Sequence, residues 1–211
     1  MKKGLPTAAE LVKAQIAKYN EYISRYQRAH VAAGVLFKVL PAFNGKVINA
    51  AFLKRLNAAL TKAAGTPCGL SFSIYGWHNE PRKPNAYGVR SVFWDAAAGA
   101  PLCGDTVFLL ANGGRLDAER TAAAASAFRA LMCARVADCN AQISLFKEMA
   151  EPLQRAFDAL AEVGRIEGSA YLGLDKLFEG GNDMNFLECG PVGHYSEEYR
   201  AIRDTDGVRL D

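Results

Sequence analysis

The chain has 211 residues, half of them hydrophobic and 22% charged, which is apolar enough to bury a core and unlike a disordered segment. No apolar run approaches the ~18 to 20 residues a membrane span needs, and Glu10 and Lys13 interrupt the uncharged stretch a secretory signal requires. A cytoplasmic protein without a membrane segment is the expectation, built as a single domain over 1–211.

The net charge of +3 conceals a polarity. Residues 1–65 hold eleven Lys or Arg against two acids, residues 66–165 hold ten of each, and residues 166–211 hold four bases against ten acids. A basic third of this kind either meets a polyanion or an acidic protein surface, or pairs internally with the acidic carboxyl-terminal segment.

Thr7 followed three residues later by Glu10 is a capping box, so a helix should begin near Ala8. Val12, Ile16, Tyr19, Ile23, Tyr26, His30, Ala33 and Phe37 then recur at alternating steps of four and three, the spacing of a coiled-coil seam. The pattern predicts a helix running almost to Leu40, where Pro41 and the turn Phe43-Asn44-Gly45-Lys46 stop it. At ~1.5 Å per residue, about 30 residues make a rod of roughly 45 Å, which needs a partner along its length. Asn49 is placed to cap a short second helix closing at Gly65, with Phe52, Leu56, Ala59, Leu60 and Ala63 on one side and Lys54 and Lys62 facing away.

After Thr66-Pro67 the period changes to two. Leu70, Phe72 and Ile74 alternate with Ser71, Ser73 and Tyr75, and a second extended run follows from Tyr87 to Trp94. The two prolines of His78-Asn79-Glu80-Pro81-Arg82-Lys83-Pro84-Asn85 make that stretch the tip of a hairpin. Asp105 to Ala111 reads as a third, buried strand ended by Asn112-Gly113-Gly114. Asp117 can cap a last long helix over Ala118 to Val163, whose seam is Met132, Val136, Cys139, Ile143, Phe146, Ala150, Leu153, Phe157 and Leu160, with Pro152 bending or restarting it. Gly164, Gly168, Gly173, Gly180, Gly181, Gly190 and Gly193 punctuate a segment that should carry one or two short strands and an acidic tail.

The fold class expected is therefore α+β: two long heptad-patterned helices pairing as an antiparallel helical hairpin, a short helix and a small antiparallel sheet. Its parts are a basic helical region (1–65), the sheet (66–116), the long helix (117–164) and a Gly-rich acidic segment (165–211). Homodimerisation through the seams is the alternative to intramolecular pairing.

The chemistry-bearing residues are sparse. Cys68, Cys103, Cys133, Cys139 and Cys189 form an odd, scattered set without a CxxC pair, as reduced thiols would. Cys133 and Cys139 fall on different helix faces, and Cys189 with His194 lacks the second ligand pair of a structural zinc site, so neither a metal nor another cofactor is assigned. Cys189 with His194 or His78 would form a thiolate–imidazole pair, the parts of a small cysteine-dependent enzyme, but no catalytic residue stands out above the many Cys and His pairings the chain offers. His30, on the apolar seam, reads as a satisfied core histidine or a register-setting polar residue. Neither GxGxxG nor a P-loop pattern occurs.

Two groups of residues point to binding. In the hairpin, Tyr75, Trp77, His78, Arg82, Lys83, Tyr87, Arg90 and Trp94 interleave aromatic rings with positive charge, a composition that can stack on bases while contacting phosphates. On the first helix, Lys18, Arg25 and Arg28 lie opposite the seam. The reading is a non-enzymatic binding protein of adaptor or inhibitor type. It presents Lys18, Arg25, Arg28, Trp77, His78, Arg82, Lys83, Tyr87 and Arg90 to an anionic partner, either nucleic acid or an acidic protein surface. A self-assembling structural protein is the remaining alternative.

Overall fold

The computed structural model describes residues 7–64, 69–76, 87–95 and 99–162. The chain forms helices α1 (Ala8–Gly34), α2 (Leu36–Val39), α3 (Ala50–Ala64) and α4 (Ala118–Glu162), with strands β1 (Leu70–Gly76), β2 (Tyr87–Asp95), β3 (Ala100–Pro101), β4 (Ala111–Asn112) and β5 (Arg115–Leu116) between the last two helices. Each of the three longer helices starts where a side chain is placed to satisfy a free backbone amide. Glu10 Oε2 accepts from the Thr7 amide at 2.7 Å while Thr7 Oγ1 accepts from the Glu10 amide at 3.2 Å. Asn49 Oδ1 accepts from Phe52 N at 2.9 Å, and Asp117 Oδ1 from Arg120 N at 3.0 Å.

The chain gathers into two compact units, and the division falls inside both long helices, between Ser24 and Arg25 and between Cys133 and Ala134. In the first unit, the opening turns of α1 pack against the closing turns of α4. Ala8 and Val12 share a core with Phe146, Leu153 and Phe157, flanked by Leu11, Ile16, Tyr19 and Ala150. The rings of Tyr19 and Phe146 meet at 5.5 Å. This is the antiparallel pairing the two seams predict, formed within one chain. Pro152 lies inside α4 without ending it. Its side chain is exposed, so the backbone carbonyl that loses its amide partner is on the solvent side, and the seam continues through Leu153 and Phe157.

The second unit holds the sheet and the short helices. β1 and β2 form an antiparallel hairpin in the register Leu70↔Phe93 to Gly76↔Tyr87. Leu70 and Phe72 on β1, and Val89, Ser91 and Phe93 on β2, are buried, while Ser71 and Ser73 are exposed, which is the period-two pattern of a sheet with one covered face. Phe93 stacks on Phe128 of α4 with centroids 4.4 Å apart, a buried contact of the kind whose loss costs about 3–5 kcal/mol. Gly69 admits no side chain: a Cβ there would lie 1.9 Å from the Trp94 carbonyl oxygen.

Two departures from the sequence reading have physical causes. α1 ends at Gly34 rather than near Leu40, because glycine weakens a helix interior by about 1 kcal/mol and Pro41 lacks the amide that would bond Phe37. The chain tightens through Val35 N to Ala32 O and Lys38 N to Val35 O, both 3.1 Å, into α2 and a 3₁₀ turn at Leu40–Phe43. That turn buries Leu36, Val39, Leu40 and Phe43 and leaves Phe37, the last residue of the expected seam, at the surface.

The third strand also differs. Residues 107–109 do run along β2, with Ser91 N donating to Val107 O at 2.7 Å and Leu109 N to Val89 O at 2.8 Å, but only a single bridge, Arg90↔Phe108, is regular. Side chains complete the pairing. Ser91 Oγ accepts from Val107 N at 2.7 Å and Thr121 Oγ1 from Leu110 N at 3.0 Å, which explains two fully buried hydroxyls. Farther along the same edge, β2 pairs with β3 through Trp94↔Pro101 and Asp95↔Ala100. β4 and β5 flank Gly113 and Gly114, with φ of 57° and 74°, a two-residue turn requiring positive φ at both positions. The hairpin tip 78–85, Cys68, Cys189, His194 and the Gly-rich acidic segment with its expected short strands lie outside the described residues.

Candidate functional site

The sequence reading places a basic surface on α1. Arg25 Nη2 donates to Pro101 O at 2.7 Å and Arg25 Nε donates to Leu102 O at 3.2 Å, so the guanidinium fork holds the end of β3 and the residue after it onto the helix. Arg28 forms an ion pair with Asp95 at the end of β2, its side chain 47% exposed and that of Asp95 13%. These two cations fasten the sheet to α1. Lys18 is half-buried on the same helix, within the first unit. On the hairpin, Tyr87 pairs with Gly76, and Arg90, half-buried, pairs with Ser73. Trp77, His78, Arg82 and Lys83 lie outside the described residues. Trp94 is 43% exposed.

α3 presents a different kind of positive surface. Phe52, Leu53, Leu56 and Leu60 are buried and the helix packs on α2 and β1. Its rotation is set by Asn57, whose Nδ2 donates to Phe72 O at 3.0 Å and whose Oδ1 accepts from Phe72 N at 2.8 Å. Those two bonds satisfy both backbone groups that Phe72 turns away from β2, and they leave the opposite face of α3 in solvent. Lys54, Arg55 and Lys62 are exposed there, with Ala51 and Ala58 between them at helical spacing. No acid occurs in residues 22–79, which contain seven cations. Among the described residues, Lys54, Arg55 and Lys62 take part in no ion pair or hydrogen bond. Lys38 on α2 and Lys46, whose Nζ lies 5.1 Å from the Phe43 ring centroid, are exposed in the same unit. Sequence reasoning placed Lys54 and Lys62 outward but assigned the surface to α1. The acid-free interval is the signal that would have directed attention to α3.

An apolar groove of about 320 Å³ opens between Phe37, Leu40 and Pro41 on one side and Ala118, Glu119 and Ala122 on the other. Its lining supplies one carboxylate and no nucleophile, so it offers no paired acid and base. Among the described residues no group of three or more His, Cys, Asp or Glu side chains is arranged to hold a metal ion. No helix among them is long and apolar enough to cross a membrane. His30 is hydrogen-bonded by Arg129 and lies beside Cys133, a satisfied histidine of the kind the seam position suggested. No family model matches this chain, and neither does any curated protein or solved structure.

Proposed function

We propose that this chain is a non-enzymatic binding protein, of adaptor or inhibitor type, that receives a polyanionic partner on the outward face of α3, with the phosphate backbone of a nucleic acid as the partner of first choice. The observation that carries this reading is the exposed Lys54, Arg55 and Lys62 stripe, without a counter-charge among the described residues and set within an acid-free interval of the sequence. Lys54 to Lys62 spans roughly 12 Å along the helix axis at ~1.5 Å per residue, between three and four nucleotide steps of ~3.4 Å. Cations held on the outward face of a helix attract phosphate without base contacts, so the binding is electrostatic and tolerant of sequence. The hairpin residues Trp77, His78, Arg82, Lys83, Tyr87 and Arg90 add, by composition, the aromatic rings that favour unpaired bases.

The test is a fluorescence-anisotropy titration of the full chain against short single- and double-stranded DNA and RNA at two salt concentrations, with polyglutamate as the protein-like polyanion. Saturable binding that falls steeply with salt is expected, and replacing Lys54, Arg55 and Lys62 together by Glu should weaken it by at least ~10-fold and flatten the salt slope by about three. Preference for polyglutamate would move the partner to an acidic protein surface. Failure to bind any of these polyanions at low salt would overturn the reading.

A further inference from the structure

The β1–β2 hairpin buries one side and turns the other outward. In its register Leu70, Phe72, Val89, Ser91 and Phe93 point to the core, so Ser71, Ser73, Arg90, Val92 and Trp94 share the outward side. Two rows of unequal height run along it. On β1, Ser71 and Ser73 are exposed, and Gly69 precedes them opposite Trp94, its carbonyl accepting from the Trp94 amide. A Cβ at Gly69 would lie 1.9 Å from the Trp94 carbonyl oxygen, so this end of the row stays bare. On β2 stand Arg90 and Val92, half-buried, and Trp94, 43% exposed. Phe108, half-buried, continues the taller row sideways through its bridge to Arg90.

A low row beside a wall that ends in an indole suits a flat group. The strand that carries the wall is fixed from below, where Phe93 stacks on Phe128, and from both sides of Trp94, by Gly69 on β1 and Pro101 on β3. The chemistry of the rows narrows the occupant further. Ser71, diagonal to Trp94 across the strands, offers a hydroxyl that both donates and accepts, which an alkyl chain does not need and the edge of a heterocycle does. Ser73 pairs with Arg90, which places a guanidinium at the far end of the same row. None of the described residues on this side is acidic, so a negative group next to the flat one meets a cation and no opposing carboxylate.

We infer that the outward side of the sheet is a site for the unpaired bases of a single-stranded nucleic acid, an assignment that rests on a nucleic acid being the partner of α3. A base stacks on Trp94 over Gly69 and Ser71, the Ser71 hydroxyl bonds its edge, and Arg90 takes a neighbouring phosphate. A duplex keeps its base faces stacked on one another and offers this surface only its backbone. The α3 cations therefore hold either form of nucleic acid, and the sheet selects the single strand. Because a hydroxyl can serve either as donor or as acceptor, the site tolerates different bases.

The experiment compares, at one low salt concentration, the affinity of the full chain for a short labelled oligothymidylate and for an abasic strand with the same number of phosphates. The two probes differ only in their bases, so the ratio of affinities reads stacking apart from charge. The native chain should bind oligothymidylate at least ~5-fold more tightly. Trp94→Leu should bring the ratio close to one while abasic binding stays within about two-fold. Ser71→Val, at an exposed strand position, raises the low row and removes the hydroxyl, and should lower the ratio at least about two-fold. Replacing Lys54, Arg55 and Lys62 by Glu should weaken both strands alike and keep the ratio. Equal binding of the two strands by the native chain, or an unchanged ratio in a folded Trp94→Leu protein, overturns the inference and leaves the α3 reading standing. Binding of neither strand overturns both. Tighter binding of a neutral proline-rich peptide than of oligothymidylate, lost in Trp94→Leu, would give the surface to a protein segment and also overturn the inference.

Discussion

Arg25 and Arg28 on α1 and Lys54, Arg55 and Lys62 on α3 come from one acid-free stretch of the second unit, and the fold uses the two groups differently. The arginines reach inward and sideways, to the carbonyls of Pro101 and Leu102 and to the carboxylate of Asp95. The α3 cations point to water from a helix whose rotation is set by Asn57 on the edge of β1. Charge density along the chain is similar in the two segments, so counting charges does not separate a cation that fastens structure from one left available. The separation comes from what lies opposite each residue after folding: backbone ends needing donors beside α1, and solvent beside α3.

If that comparison is right, truncating Arg25 should have the largest effect on stability. Two carbonyls lose a charged donor, one of them on the buried Leu102, a loss of about 1–3 kcal/mol. Urea unfolding of Arg25→Ala should show this while polyanion affinity stays within about two-fold. Arg25→Lys should recover less than half of the loss, since a single ammonium cannot reproduce the fork that spans both oxygens. A binding defect larger than the stability defect would return Arg25 to the anion-binding surface and break the comparison.

The ion pair should weigh less. With Arg28 47% exposed, a double-mutant cycle of Arg28→Ala and Asp95→Ala should give a coupling of only about 0.5–1 kcal/mol, diminishing in high salt. A coupling near zero would mean that Arg28 is available to a partner after all.

What could be read before folding was what depends on near neighbours. The capping pairs Thr7 with Glu10, Asn49 with Phe52 and Asp117 with Arg120 each close over three residues, and all three helix starts follow from them. The α1 and α4 seams were legible because a sustained four-three rhythm has few other uses, and the β1–β2 hairpin because its burial alternates. The break at Gly34 was not, since Phe37 keeps the seam register and only tertiary packing makes the tight turn through Pro41 preferable. Nor was the irregular pairing of residues 107–109 with β2, because Ser91 and Thr121 replace ladder partners with hydroxyls, a substitution that leaves no periodic mark. The candidate sites divide in the same way. The outward side of α3 follows from its own apolar spacing, whereas the partners of Arg25 lie 76 and 77 residues away and those of His30 lie 99 and 103 residues away.

The smallest stability effect belongs to the residues on which the proposed function rests. Neutralising Lys54, Arg55 and Lys62 one at a time to Ala removes no ion pair and no hydrogen bond among the described residues, and exposed helix positions of this kind change stability by no more than about 0.5 kcal/mol in either direction. Alanine is also the best helix former, and fewer like charges on one face means less repulsion, so the triple replacement should unfold at an equal or slightly higher urea concentration than the parent. Loss of polyanion binding without any loss of stability would then mark these cations as retained for a partner. If the triple replacement instead lost several kcal/mol, the cations would be holding the fold as Arg25 does, and the distinction between the two helices would fail at its functional end.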